Sequence, residues 1–407
     1  MRVFVVNNVY NVGSTGKIVY DTKKYYESLG HKVKVAYGIG KKTSETSVLK
    51  FCNTIELSAA FFLWKLGYNQ YKGSPLTVRR IARAIERFNP DIVHLHCLNS
   101  FCIDLYGLLD YLSNKEYKVV ITHHAEFYYT GSCPHAYDCS NWIKAECNNC
   151  LLPPSSRINL FRLSAHDMWI KMHEAFSKFK KENLIFTAVS PWVKKRADLS
   201  PITNRFMCVT VMNGLDTNIF HYYKDNDIVL GKEDNYKHIV FHATAAFSDN
   251  ENDSKGGIYL IELARRNPSV LFVVAAIRTH YSKEIPSNVM LWGRAKDGLE
   301  LAKLYSNADV TLICSKRETF SMITAESLCC GTPVVGFEAG GPESITIKEY
   351  SKFVEYGNIQ QLDEALRESL QYENNKEKLS LQAISKYSKE EMSRNYLKVY
   401  DTLLGKE

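Results

Sequence analysis

No run in this 407-residue sequence approaches the roughly 20 consecutive apolar residues of a membrane-spanning helix. Short-period repeats and low-complexity tracts are absent too. These absences exclude an integral helical membrane protein, a solenoid and a largely disordered chain. Aromatic and basic residues do not interleave as they do in nucleic-acid readers, so no nucleic-acid partner is expected. The opening Met1-Arg-Val-Phe-Val-Val6 is too short for the apolar core of a secretory signal and runs straight into Asn7-Asn8. It reads as a first strand, and a cytoplasmic location is expected. Cysteine numbers eleven, an odd count scattered through predicted strands and helices. That fits a reducing compartment rather than a disulfide scaffold.

The composition that remains is globular, with 45% hydrophobic and 23% charged residues, and the length suffices for two ordinary domains. The net charge of +7 is unevenly spread. Residues 1–200 hold 27 Lys and Arg against 16 Asp and Glu, whereas the remainder hold 24 against 28. A basic first half suits an anionic partner such as lipid headgroups or a lipid-linked phosphate, at the inner face of a membrane. Solvated surface lysine is the plain alternative. Residues 59–71, Ala-Ala-Phe-Phe-Leu-Trp-Lys-Leu-Gly-Tyr-Asn-Gln-Tyr, form an apolar and aromatic stretch. It is too short to span a bilayer but long enough to dip into an interface, with helix packing as the other reading.

Strand and helix patterns alternate throughout, which predicts parallel sheets covered by helices. Val3–Val6, Lys32–Tyr37, Asp91–His96, Lys118–Thr122 and Phe186–Ser190 read as strands of one set. Phe206–Met212, His238–Phe241, Val270–Ala275, Asn288–Trp292 and Asp309–Cys314 read as a second. The break is expected near Ser200-Pro201. This gives a first doubly wound domain over 1–200 and a second over 201–384, facing across a cleft. A C-terminal helix within 385–407 is expected to cross back to the first.

The densest chemistry lies in Glu318-Thr-Phe-Ser-Met-Ile-Thr-Ala-Glu326. The strand before it and the Gly331 stop after it put Glu318 at a carboxyl sheet edge and Glu326 inside the departing helix. Ligands of open α/β sheets bind at such edges. The N–H groups of Phe320, Ser321 and Met322 are placed to meet an anion there. Acids beside an anion hole suit a ligand that is part phosphate and part polyol, as a nucleotide-sugar is. Gly13-Ser-Thr-Gly16-Lys17 follows the first strand; it is not a Walker loop, because only two residues separate its glycines and Ile18 stands at the Ser/Thr position. It reads as a glycine turn that admits a diphosphate, or as a tight turn alone. Lys255 precedes Gly256-Gly257 at a second loop-to-helix junction, where a lysine can neutralise a diphosphate. His123-His124-Ala-Glu126 follows a strand at the first sheet's edge, and a His there is placed for a sugar hydroxyl. His94 and His96 share one face of a strand, a core position. Cys133, Cys139, Cys147 and Cys150 cluster, and the last two have the Cys-x-x-Cys spacing that suits a structural zinc. Free thiols or a redox-sensitive pair are the other readings.

Glu318-x7-Glu326 with Gly331-Thr-Pro-Val-Val resembles the signature of the retaining family-4 glycosyltransferases of GT-B fold. The resemblance continues through Val93-His-Leu-His96, Thr122-His-His124, Thr130-Gly-Ser-Cys133, Asn213-Gly-Leu-Asp216 and Gly340-Gly341-Pro-Glu343. The first-half features are most similar to bacterial enzymes of colanic-acid, capsule or O-antigen assembly. The resemblance implies transfer of a hexose-type sugar from a nucleoside-diphosphate sugar, UDP favoured, to a glycan acceptor, lipid-linked in surface polysaccharide synthesis. Glu326 is then expected on the ribose hydroxyls and Glu318 on the donor sugar. Phe320, Ser321 and Met322 are expected on sugar and phosphate, and Lys255 on the diphosphate. Gly13 and Gly16 are expected at the phosphates, His124 on the C6 side of the sugar and Arg294 near the base. No cofactor is implied for the chemistry.

The sequence also departs from the family pattern. No arginine lies in Ala243–Asn252 to pair with Lys255, Ala125 replaces an Asp, leaving Glu126 as the acceptor-side substitute, and Ser321 stands where Gly is usual. A nucleotide-sugar epimerase or a phosphorylase on the same architecture, and a non-catalytic zinc-containing binding protein, are the alternative readings.

Overall fold

The structure is a computed structural model that describes residues 1–150, 160–161, 164–228, 230 and 235–406. Its residues divide into two compact units: Met1–Met212 with the stretch from Met392 onward, and Asn213–Glu391.

The first unit holds a sheet of β1 (Arg2–Asn7), β2 (Lys32–Tyr37), β3 (Val48–Lys50), β4 (Ile92–Leu95), β5 (Val119–His123), β6 (Leu184–Ala188) and β7 (Met207–Thr210). All pairs are parallel, in the order β3-β2-β1-β4-β5-β6-β7. The central strands are runs such as Val-Phe-Val-Val, buried on both faces as helices on either side require. Helix limits follow from local chemistry. The Pro75–Phe88 helix opens with Pro at its first turn under a Ser74 cap and stops at Asn89 in the left-handed region (φ 47). It buries Thr77, Ile81, Ala84 and Ile85, one stripe at helical spacing.

β7 corrects the expected boundary. Met207–Thr210 was placed with the second set of strands, but it pairs with β6 in register Ile185↔Met207 to Ala188↔Thr210. The chain therefore changes unit at Asn213, not at Ser200-Pro201. The Pro break marks only the end of the Pro191–Leu199 helix.

The second unit holds β8 (His238–Ser248), β9 (Val270–His280), β10 (Val289–Gly293), β11 (Val310–Ile313), β12 (Val334–Phe337) and β13 (Ser351–Val354). Its order is β10-β9-β8-β11-β12-β13, again all parallel. Numbered within the unit this is 3-2-1-4-5-6, the doubly wound order whose direction reverses between β8 and β11. β8 and β9 are eleven residues each and stay paired to Ser248↔His280, well past the ends of their neighbours.

The C-terminal helix, Lys389–Leu403, packs as the sequence anticipates. Met392, Tyr396, Val399, Tyr400 and Leu403 join Val3, Val5, Val33 and Val35 in the first unit's core. Burial of each such apolar side chain contributes about 1.5–3 kcal/mol before entropy is counted. Tyr400 Oη and His94 Nδ1 are 2.7 Å apart, and Tyr26 donates to the Ser393 carbonyl at 3.2 Å. Just upstream, Leu215 and Ser388 form a parallel bridge, and Lys389 pairs with Asp216 at 2.7 Å. Gly214 has to be glycine there, since a Cβ would lie 2.6 Å from the Lys389 Cα.

Candidate functional site

The direction reversal between β8 and β11 is where an open sheet leaves a crevice, and the second unit's polar residues gather around it. Glu318 follows β11. Its N–H donates to the Ala339 carbonyl at 3.0 Å and its carbonyl accepts from Gly341 N–H at 2.8 Å. The Glu343 carboxylate in turn accepts from the N–H groups of Ala339 (3.0 Å) and Gly340 (2.6 Å). A Cβ on Gly341 would come within 2.6 Å of the Phe320 nitrogen. The Gly340-Gly341-Pro-Glu343 loop thus clamps the backbone that carries Glu318.

Lys255 is set by a second close packing. Gly256 has φ +70, and a Cβ there would lie 2.3 Å from the Cys314 carbonyl oxygen at the end of β11. Lys316 N–H also donates to the Ser254 carbonyl at 2.8 Å, pinning this loop to the sheet edge. The result is contact between two expected ligand groups: Lys255 Nζ and Glu318 Oε1 are 2.6 Å apart, both partly exposed.

The Met322–Cys329 helix starts from Ser321, which has φ 77 and accepts from Thr324 N–H at 3.3 Å. That backbone explains why glycine is usual at this position. Phe320 is buried, 6.4 Å from the Tyr387 ring. Met322 N–H lies in the first helical turn, where no intrahelical acceptor is available.

Glu326 borders a cavity of about 330 Å³ together with Ala243–Ala245, Ala275–Ile277, Arg294, Asp297, Leu301 and Ile323. The small side chains in the middle of β8 and β9 open this space, and Arg294, just after β10, lines it as well. Protein encloses the Glu326 carboxyl and pushes its pKa up to about 7, opposed by the Tyr305 hydroxyl that donates to it at 3.0 Å. The second unit thus sets Glu326 and Arg294 on this cavity, while Lys255 and Glu318 pair with each other and Phe320, Ser321 and Met322 lead from Glu318 into the Met322–Cys329 helix. Tyr305, Asp297 and His242 escaped the sequence reading. Tyr305 sits one helix upstream of Glu326, with no local signal linking them. His242 is buried with Nδ1 2.9 Å from the Leu312 carbonyl, and burial holds its pKa down to about 4.

The remaining expected residues lie in the first unit. Gly13 (φ 65) opens the Gly13–Ser28 helix at the carboxyl end of β1. A Cβ on Gly16 would meet Val9 at 3.0 Å, so the 9–11 turn needs glycine there. His124 is buried, Nε2 lying 2.9 Å from His96 Nδ1, and burial lowers its pKa to about 3. His94 and His96 are fully buried, as their strand positions imply.

Glu126 requires a correction. Its side chain is wholly buried rather than offered to an acceptor. Oε1 accepts from Ala136 N–H at 3.1 Å, and Oε2 from Arg196 Nε at 2.8 Å. The Arg196 guanidinium also lies over Trp142 and Trp192, at 5.0 and 4.9 Å. Cys133, Cys139, Cys147 and Cys150 are thiols outside any disulfide, and burial, with the neighbouring cysteines adding, pushes the pKa of Cys133 up to about 11 and that of Cys147 up to about 12. Among the described residues no group of three or more His, Cys, Asp or Glu is arranged to hold a metal ion.

Two doubly wound parallel units in one chain define the GT-B class. Residues 15–199 match the family model described as Glycosyltransferase Family 4, and residues 247–386 the one described as Glycosyl transferases group 1. Both halves of the chain thus match models of glycosyltransferases.

Over 88 residues it is 32% identical to a D-inositol 3-phosphate glycosyltransferase of Segniliparus rotundus, a match spanning 22% of this chain and 19% of that protein. Over 41 residues it is 51% identical to the protein of the same description from Thermomonospora curvata, 10% of each chain. Its fold is similar to that of sucrose-phosphate synthase from Thermosynechococcus elongatus, with TM-score 0.66, 12% identity and 99% of each chain covered. It is also similar to Anabaena HepE in complex with UDP and glucose, with TM-score 0.61, 13% identity, and 99% of this chain and 100% of that one covered.

Proposed function

We propose that the protein is a retaining glycosyltransferase that moves a hexose from a nucleoside-diphosphate sugar, UDP favoured, to a lipid-linked glycan during bacterial surface polysaccharide assembly. The observation that carries this reading is the placement, about the entrance of the Met322–Cys329 helix, of the Lys255–Glu318 ion pair and of the cavity that Glu326 lines. The complex of HepE with UDP and glucose supports the choice of donor.

In this reading the base lies near Arg294 and the ribose hydroxyls donate to Glu326. Glu318 accepts from the sugar hydroxyls, and Phe320, Ser321 and Met322 offer N–H groups to sugar and phosphate. Lys255 and the helix terminus stabilise the charge that gathers on the leaving diphosphate. The acceptor hydroxyl attacks from the face that the diphosphate leaves, and a phosphate oxygen takes its proton. The protein's work is positioning and electrostatics.

The test incubates the protein with UDP-sugars and a lipid-linked acceptor and reads the anomer of the product by NMR. A product of unchanged anomeric configuration supports the reading. An inverted product, or an epimerised sugar formed without acceptor, refutes it.

A further inference from the structure

We propose that the Thr54–Lys65 helix, with Leu160 and Phe161 beside it, forms a surface that seats on an anionic lipid bilayer. The helix is well made, with Asn53 and Glu56 closing a capping box at its start, yet none of its residues is buried. Ile55, Ala59 and Phe62 are spaced to share one outward face, and Ile55 is 82% and Phe62 62% exposed. Trp64 turns the other way and stacks on Phe101 at 5.7 Å, and Phe61 completes a triangle with both rings, at 5.6 and 5.3 Å. Leu160 N–H donates to the Leu66 carbonyl at 2.9 Å, which brings exposed Leu160 and Phe161 to the end of this helix. Lys65 lies 4.6 Å from the Phe61 ring, an arrangement that buries an apolar stem while keeping the ammonium at the headgroups. No helix among the described residues is long and apolar enough to cross a membrane, so this surface would lie in the interface plane.

Charge selects the occupant. Residues 41–87 hold nine Lys and Arg against three Asp and Glu, an excess of six where the whole chain has +7. Arg79, Arg83 and Arg87 are exposed one turn apart on the Pro75–Phe88 helix. That helix is tied to the first by Arg80, whose Nη1 lies 2.6 Å from Glu56 Oε2. A second copy of the same surface would set this excess against itself, which disfavours a symmetric dimer. Anionic headgroups neutralise it, at about 1 kcal/mol for each basic residue near the surface. The surface deepens the reading of a lipid-linked acceptor, but its test needs neither donor nor acceptor, so the two can fail separately.

The test is co-sedimentation with phosphatidylcholine vesicles, with and without phosphatidylglycerol. The wild-type chain is expected to bind only the vesicles with phosphatidylglycerol and to be released by salt. Ile55→Ser with Phe62→Ser lowers the partition about tenfold or more. Arg79→Gln, Arg83→Gln and Arg87→Gln together lower it on the order of 100-fold and flatten its salt dependence. All five side chains are exposed, so unchanged thermal melts confirm that the variants fold. No binding by the wild type, wild-type partition in either variant, or a dimer in solution that the Ile55/Phe62 variant dissolves overturns the proposal.

Discussion

The ammonium of Lys255 and the carboxylate of Glu318 are in direct contact at 2.6 Å, although the proposed donor complex assigns them to different parts of the ligand. If Lys255 meets the diphosphate as proposed, Glu318 competes with that anion for the same ammonium. Donor binding then has to exchange one anion for another at Lys255. Glu318→Gln should tighten binding of a free nucleoside diphosphate about two- to fivefold, the scale of a partly exposed ion pair. The same variant should lose turnover, because the sugar contact weakens. Calorimetry with UDP reads the first effect, and unchanged affinity removes the competition.

If Glu326 meets the donor ribose as proposed, donor binding is expected to depend on pH. Its carboxyl is raised from 4.5 to about 7 by burial, so the folded protein holds this proton more tightly than the unfolded chain does. The stability it contributes is complete below the ordinary carboxylate range and is lost as pH rises through about 7. Ribose hydroxyls prefer the ionised form as acceptor, so donor affinity should rise over that same window. Glu326→Gln should flatten the profile in a titration of affinity against pH, and Glu326→Ala should abolish measurable donor binding.

Two glycines carry the geometry of the crevice. Gly256→Ala and Gly341→Ala each force a Cβ against fixed backbone, at 2.3 and 2.6 Å respectively. Each is expected to cost about 2–4 kcal/mol of stability in urea unfolding, and the Gly256 change includes strain at positive φ. Donor affinity should fall with both, since each displaces Lys255 or Glu318. Gly30→Ala, where φ is +80 but no atom lies within 4 Å, serves as a control for strain without a clash.

The buried pair in the first unit predicts a different outcome. Glu126→Ala leaves the Arg196 charge enclosed between two tryptophans without its counter-ion. About 3–5 kcal/mol of stability should go with it, read as a lower melting temperature. A variant that melts like the wild type would restore Glu126 as a candidate for acceptor contact.

The sequence reading was strongest where local chemistry decides structure. The apolar β-branched runs, the Gly331 stop and the placement of Glu318 and Glu326 about one helix entrance were all legible, because each depends on residues close in the chain. The C-terminal helix showed itself through its own amphipathic period. β8 and β9 were read seven and five residues short, since His-Ala-Thr-Ala-Ala-Phe-Ser and Ala-Ile-Arg-Thr-His lack a clear strand pattern and are extended by pairing with each other. β7 carried a clear strand signal with nothing to say which sheet it would join. Glu126 looked available because it follows a histidine loop. Its partner Arg196 lies 70 residues away, and only the folded chain brings the two together.

The bridge between Leu215 and Ser388 has a topological consequence. It holds the two ends of the second unit side by side, so that unit is an insertion into a host whose own chain resumes at Met392. A stretch with neighbouring ends can be excised without leaving a gap to span. Residues 213–391 made alone should therefore fold and retain nucleotide affinity, and a related segment could be transplanted at the same two joints.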